Sequence, residues 1–190
     1  QLAAVSLGTA FFVTGMMPGM GLALGLTPIV GPLYVQGGHR TAARFFQNSL
    51  LLNLAVGVLL FGLMMGASFF SDRIGQPPRV AELTVPYFRY LAWSVIPFML
   101  FSAFKQFMEG VGNTSIAMGI TITANLLNVG LNYVFIYGHF GAPAMGAAGA
   151  GLATFLSRCV MPVLFVAVLM RKDSYRRYFR FFGTGGFSWP

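Results

Sequence analysis

The chain has 190 residues, of which 56% are hydrophobic and only 8% are charged, and its mean hydropathy is +0.73. This composition excludes a soluble globular domain, in which about a quarter of the residues are charged. The formal net charge of +8 suggests a nucleic-acid-binding protein as an alternative, but the basic residues gather at the ends of apolar runs and in the tail. We therefore predict a membrane protein with no nucleic-acid partner.

Five long apolar runs follow one another along the chain. A hydrocarbon core about 30 Å thick needs about 20 helical residues, and each crossing segment must satisfy its own backbone hydrogen bonds. We therefore predict an all-α membrane protein with five transmembrane helices. The predicted spans cover residues 3–34, 46–70, 85–104, 115–137 and 147–170. The first span is too long for a perpendicular crossing, so we expect it to tilt, to bend near Pro18 or to project beyond the bilayer.

Glycine and proline mark the connections between the later spans, at residues 76–78, 110–114 and 138–146. These residues end helices and permit tight turns. Such short connections favour antiparallel neighbours in one helical bundle.

The fourth span carries a stripe of polar side chains. Thr121, Asn125, Asn128 and Asn132 recur at offsets of four, three and four, which places them on one helical face. Asn125 and Asn128 lie near the centre of the span, where a polar group facing lipid costs several kcal/mol. The stripe is therefore predicted to face protein or water and to line part of a solute pathway. The alternative is that these amides form hydrogen bonds between helices.

Two polar residues of the fifth span leave alternatives open. Thr154 either lines the same cavity or bonds to the backbone of its own helix. Arg158 is costly inside a membrane unless it is paired or bonded to carbonyls, so it is either a structural clamp or part of a cavity wall.

The tail, residues 171–190, interleaves arginines with tyrosines and phenylalanines, a pattern typical of the lipid headgroup boundary. Eight basic residues fall on one side of a five-span zigzag and only Arg73 and Arg79 fall clearly on the other; the eight are Arg40, Arg44, Lys105, Arg171, Lys172, Arg176, Arg177 and Arg180. The positive-inside rule then predicts a cytoplasmic tail and an external residue 1. Since such a start is unusual for a complete protein, we expect a first helix upstream of this sequence.

The carboxylates of the chain all lie outside the membrane centre. Asp72 and Glu82 fall in an outer loop, Glu109 at a helix end and Asp173 in the tail. A site that couples transport to an ion normally uses an intramembrane acid. The coupling ion, H⁺ or Na⁺, is therefore expected to bind mainly outside this chain, and no other cofactor is predicted.

Several sequence runs, taken in order and with their spacing, resemble one family of transporters. They are LTPIVG at 26–31, GVGNT at 110–114, NVGLNYVFIYG at 128–138, and the segment 141–158 with its glycines, Thr154 and Arg158. Together these runs are similar to helices two and four to six of the multidrug and toxic compound extrusion (MATE) family. The resemblance extends over nearly the whole chain.

The resemblance implies a fold and a site. Residues 2–170 would form helices two to six of a twelve-helix protein built from two six-helix lobes, and residues 171–190 would lead to the second lobe. Asn128, Asn132 and Thr154 would line the cavity of the first lobe. Asn132 stands where the proton-coupled archaeal type has an aspartate, so the expectation moves to the bacterial pattern, in which the acidic partner lies on the first helix.

The function implied is a cation-coupled antiporter, not an enzyme, that exports organic and often cationic compounds by alternating access. The complete protein would be a multi-pass monomer of the inner membrane whose partners are its substrates, the bilayer and its remaining helices. One alternative is a flippase for lipid-linked glycans in the same superfamily, which should have a cavity rich in Arg and Lys. A second is an intramembrane enzyme, but both histidines fall in loops and the spans carry no catalytic grouping.

Overall fold

The fold is described from a computed structural model. It describes residues 24–70, 78–141 and 143–172, residues 175, 176 and 178 of the tail, and residues 9, 10, 12–14, 16, 17, 19 and 21 near the start; for 67–70 and 78–84 only the backbone is described. Within these residues the regular secondary structure is entirely α-helical. The helices are α1 (Thr27–Val35), α2 (His39–Phe70), α3 (Pro78–Trp93), α4 (Val95–Gly110), α5 (Thr114–Tyr137) and α6 (Ala147–Arg171).

Four segments of the described chain are long and apolar enough to cross a membrane. They are His39–Gly66, Val85–Gly110, Thr114–Tyr137 and Ala147–Arg171. The prediction of an all-α membrane fold is thus confirmed. Near the start, helical residues reach residue 21, a turn follows at 24–26, and α1 begins at Thr27. Pro18, where a bend was predicted, lies outside the described residues.

The third membrane crossing is built from two helices that meet at Ser94. Pro97 lacks an amide hydrogen, so the carbonyl of Trp93 has no helical donor four residues later. Ser94 stabilises the junction by donating its hydroxyl to the carbonyl of Leu91 at 2.6 Å, and it is fully buried. The crossing therefore has a fixed break near its middle.

Glycines with a left-handed backbone lie in the turns before and after α5. Gly112 has φ +81° in the turn between α4 and α5, and Gly138 has φ +77° at the end of α5. Side chains with a Cβ rarely adopt this left-handed conformation. The two turns make α5 antiparallel to α4 and to α6.

An aromatic core holds the bundle together and leaves α5 at its edge. Phe46 of α2 stacks on Phe107 of α4 with 4.2 Å between ring centroids, and Phe104 stacks on Phe165 of α6 at 5.7 Å. Helix α5 packs mainly against α6, and the rest of its surface is exposed; Leu126, for example, is 69% exposed. The polar stripe of α5 runs along the border between its packed and its open surface.

Candidate functional site

A chain of hydrogen bonds links the polar stripe of α5 to α6. Asn132 donates its amide Nδ2 to Asn128 Oδ1 at 2.9 Å, and Asn128 donates its own Nδ2 to Ser157 Oγ at 3.1 Å. Ser157 in turn donates its hydroxyl to the carbonyl of Thr154 at 3.0 Å. We call this series of hydrogen bonds, from Asn132 through Asn128 and Ser157 to the Thr154 carbonyl, the amide chain. All three bonds are donated in the same direction, from α5 toward the backbone of α6.

The amide chain begins at an oxygen that has no partner. Among the described side chains, Asn132 Oδ1 is the one buried polar atom without a hydrogen bond. An unpaired buried acceptor costs about 1–3 kcal/mol, so such atoms need an explanation in a folded protein. Because the Nδ2 of Asn132 donates to Asn128, the orientation of the amide is fixed and its oxygen retains its capacity to accept a hydrogen bond or to coordinate a cation.

Ser157 belongs to this site although the sequence interpretation gave it no role. It is only 3% exposed and its hydroxyl receives the amide of Asn128. The signal available in the sequence was its position three residues after Thr154, which places both on neighbouring parts of one helical face. The sequence did not indicate that the hydroxyl of Ser157, and not that of Thr154, forms the hydrogen bond to α5.

The other predicted site residues lie apart from this chain of bonds. The Thr154 hydroxyl donates to the carbonyl of Ala150 on its own helix at 2.9 Å, and Thr154 reaches the amide chain only through its carbonyl. Thr121 likewise donates to the carbonyl of Ala117 at 2.8 Å. Asn125 is exposed on the open side of α5. The structure therefore brings Asn128 and Asn132 together and leaves Thr121 and Asn125 outside their hydrogen-bonded group.

Thr121 instead borders a cleft at one end of the bundle. The cleft holds about 290 Å³ and is lined in part by Lys105 and Glu109, which form an ion pair at 3.5 Å one helical turn apart. In the described part of the chain no cluster of His, Cys, Asp or Glu side chains could hold a metal ion. The described site thus offers neutral amide and hydroxyl groups.

Arg158, the residue after Ser157 on α6, is held between two aromatic rings. Its guanidinium carbon lies 4.8 Å from the ring centroid of Phe12 and 4.9 Å from that of Phe98. Its Nη1 donates to Ser94 Oγ at 2.8 Å, at the break between α3 and α4. Charge–ring contacts and a hydrogen bond to the break are the interactions that a structural clamp needs.

A close approach of backbones fixes how α5 and α6 face each other. A Cβ placed on Gly149 of α6 would lie 2.5 Å from the carbonyl oxygen of Phe135 on α5. Only glycine fits at that distance, and small residues are the usual means by which membrane helices approach closely. The same contact determines which residues of α6 stand opposite Asn128.

Long apolar helices, close glycine contacts and a polar chain facing inward define the class: a multi-pass membrane protein whose bundle carries an internal polar site. The MatE family model matches residues 1–134, and the chain belongs to this family of multidrug and toxic compound extrusion transporters. The predicted family membership is thereby confirmed. Its members are transporters, so the chain is not an enzyme.

Curated relatives show the same relationship. The chain is 34% identical over 177 residues to a protein of Idiomarina loihiensis named probable multidrug resistance protein NorM. It is 30% identical over 177 residues to multidrug resistance protein MdtK of Photorhabdus laumondii. These alignments cover 93% of this chain but only 38% and 39% of the relatives, so the chain spans about two fifths of their length.

Solved structures agree in fold. An outward-facing MATE family transporter superposes with a TM-score of 0.79 at 26% identity, over 92% of this chain and 38% of that one. An inward-facing MATE family transporter superposes with a TM-score of 0.75 at 23% identity, over 90% of this chain and 38% of that one. The helices described above therefore have the arrangement found within this twelve-helix fold.

Proposed function

We propose that this chain forms part of the first lobe of a cation-coupled antiporter that exports organic, often cationic, compounds by alternating access. The observation that supports this most directly is the oriented amide chain ending at Asn132 Oδ1, an acceptor without a partner among the described residues. The names of the relatives, which are multidrug resistance proteins, support the substrate class.

The chemistry of the site favours a substrate that donates or carries positive charge. A carbonyl oxygen accepts an N–H donor or coordinates a cation, whereas it repels an anion. Asn128 and Asn132 do not titrate, so they would bind substrate or Na⁺ without themselves exchanging protons. We infer that the ion-coupling acid lies on helices outside this chain, and that H⁺ or Na⁺ binds mainly there.

The packing of Arg158 argues against a glycan flippase. A cavity for phosphate-linked glycans would present guanidinium or ammonium groups to its solute. Arg158 instead lies between Phe12 and Phe98 and bonds to Ser94. We place the complete protein in the inner membrane, and we propose that it is a monomer. The asymmetry of its Lys and Arg residues supports a cytoplasmic position for the basic tail.

The test is efflux by alanine variants of the full-length protein. Asn128→Ala and Asn132→Ala should each lower the extrusion of a fluorescent organic cation from cells at least tenfold, at unchanged membrane expression. Thr123→Ala is the matched control, because Thr123 is an exposed residue of the same helix whose hydroxyl bonds, within the described part of the chain, to the carbonyl of Gly119. Wild-type efflux in both asparagine variants would reject the proposal.

Asn125→Ala separates two versions of the site. If the whole predicted stripe lines the pathway, this variant should also lose efflux; if only the hydrogen-bonded pair contributes, it should behave like Thr123→Ala. The position of Asn125 outside the amide chain favours the second result.

A further inference from the structure

The tail after α6 folds back on the bundle. At Lys172 the chain begins a new turn, because the carbonyl of Lys172 accepts the amides of Tyr175 at 2.9 Å and Arg176 at 3.0 Å. Tyr175 and Tyr178 are three residues apart and therefore lie on one face of this turn. That face meets the bundle, while Arg176 is exposed.

Two hydroxyl contacts fix the tail in place. Tyr175 Oη accepts a hydrogen bond from Asn113 Nδ2 at 2.8 Å, at the turn between α4 and α5. Tyr178 Oη and His39 Nδ1 are 2.9 Å apart at the first residue of α2. The ring of Tyr178 also meets Phe107 edge to face at 5.2 Å, and the residue is only 1% exposed. The tail is thus packed against the bundle at this end.

Docking of the tail gathers positive charge from two distant parts of the sequence. The exposed basic residues at this end are Arg40 and Arg44 of α2 and Arg171, Lys172 and Arg176 at the end of α6 and in the tail. Arg40 and Arg44 are four residues apart on one face of α2, next to the residue that Tyr178 contacts. Glu109 is the acidic side chain described at this end, and it is paired with Lys105; Asp173 of the tail lies outside the described residues.

We propose that these five residues, which we call the basic rim, form a binding surface for the headgroups of anionic phospholipids. The basic rim lies at the ends of the candidate crossings His39–Gly66 and Ala147–Arg171, and the ends of a spanning helix are where lipid phosphates are expected. Arginine and lysine bind phosphate oxygens through charge-assisted hydrogen bonds, and the surface of an anionic leaflet attracts cations at this level. The contact between Tyr178 and His39 brings the docked tail to the start of α2, so that the cations of both segments lie at the same end of the bundle. This inference does not depend on the transported substrate.

The experiment is native mass spectrometry of the full-length protein in detergent, titrated with phosphatidylglycerol or with phosphatidylcholine of the same acyl chains. Each cation removed from an anionic surface lowers affinity about fivefold. Arg176→Gln should therefore weaken phosphatidylglycerol binding about fivefold, and Arg44→Gln combined with Lys172→Gln and Arg176→Gln about a hundredfold. Binding of phosphatidylcholine should not change, and the difference between the lipids should shrink as salt rises.

The matched control is Arg89→Gln, which removes one exposed cation near the start of the crossing Val85–Gly110, at the far end from the basic rim. It should bind phosphatidylglycerol like the wild type. A triple variant with wild-type affinity, or one that loses both lipids equally, would overturn the proposal. The double variant Tyr175→Phe and Tyr178→Phe retains both rings and every charge and should weaken phosphatidylglycerol binding at least threefold; unchanged binding would show that tail docking does not form the surface. Elution and thermal unfolding of each variant establish that it is folded.

Discussion

Leucine substitutions at Asn132 and Asn128 should have different effects on stability but the same effect on transport. In Asn132→Leu the unpaired oxygen of Asn132 disappears, while the bond of 2.9 Å to Asn128 is lost and Asn128 Oδ1 loses its donor. The number of unpaired acceptors is unchanged and one hydrogen bond is lost. Since such bonds between membrane side chains contribute about 0.6 kcal/mol on average, the unfolding free energy should stay within about 1 kcal/mol of wild type.

Asn128→Leu breaks the amide chain in its middle. It removes both the bond from Asn132 Nδ2 and the bond to Ser157 Oγ at 3.1 Å, and it leaves the whole amide of Asn132 without a partner within the described site. Two lost bonds and one further unpaired buried group cost about 2–4 kcal/mol. This variant should unfold markedly more easily than Asn132→Leu.

Both free energies can be measured on the full-length protein by titrating mixed micelles with a denaturing detergent, and efflux of a fluorescent organic cation can be compared at matched membrane expression. We expect efflux to be lost in both variants although only Asn128→Leu is destabilised. Equal destabilisation of the two variants, or wild-type efflux by Asn132→Leu, would refute the view that Asn132 Oδ1 is kept unpaired for a solute.

Three further predictions concern the packing around the site and are tested by the same unfolding titration. Gly149→Ala should lower the unfolding free energy by about 1–3 kcal/mol, because its Cβ would lie 2.5 Å from a backbone carbonyl oxygen. In the control Gly130→Ala the new Cβ has nothing within 4 Å, so this variant should be neutral or slightly stabilising. Equal effects of the two substitutions would contradict the close approach of α5 and α6. Arg158→Lys should lower the unfolding free energy by about 1–3 kcal/mol, because lysine keeps the buried charge but lacks the planar group that fits between two rings. Arg158→Met removes the charge and should have an unfolding free energy near that of the wild type. A methionine variant less stable than the lysine variant would contradict this explanation. Ser157→Ala should cost about 1 kcal/mol and lower efflux, since it removes the acceptor of the Asn128 amide, and an unaffected variant would remove Ser157 from the site.

Much of the fold could be predicted from the sequence, because membrane crossings depend on length and apolarity alone. The apolar runs at 115–137 and 147–170 correspond to α5 and α6. The run around Ser94 is continuously apolar, so apolarity alone predicts one crossing there; Pro97, which removes one helical hydrogen bond, is the sequence signal for the break. Helix α2 begins at His39, upstream of the apolar run, since polar residues at a helix end add no hydropathy.

The candidate site could be predicted only in part. Helical spacing placed Thr121, Asn125, Asn128 and Asn132 on one face, but it does not tell which part of that face meets another helix. The pairing of Asn128 with Ser157 depends on the approach of Gly149 to α5, which is a tertiary contact. The contact between His39 and Tyr178 joins residues 139 positions apart, so the sequence indicated a lipid-facing tail without its anchor.

We propose that the face of α5 that carries Asn128 and Asn132 borders water. Cysteine accessibility tests it most directly, in the full-length protein with Cys159 replaced by alanine and any other cysteine removed. A charged, membrane-impermeant thiol reagent should label Asn128→Cys and Asn132→Cys, and a transported organic cation should slow that labelling, while Thr123→Cys on the far side of α5 should stay unlabelled. If the cysteines at positions 128 and 132 are not labelled, and the cysteine at position 123 is labelled equally little or more, this face of α5 does not border water.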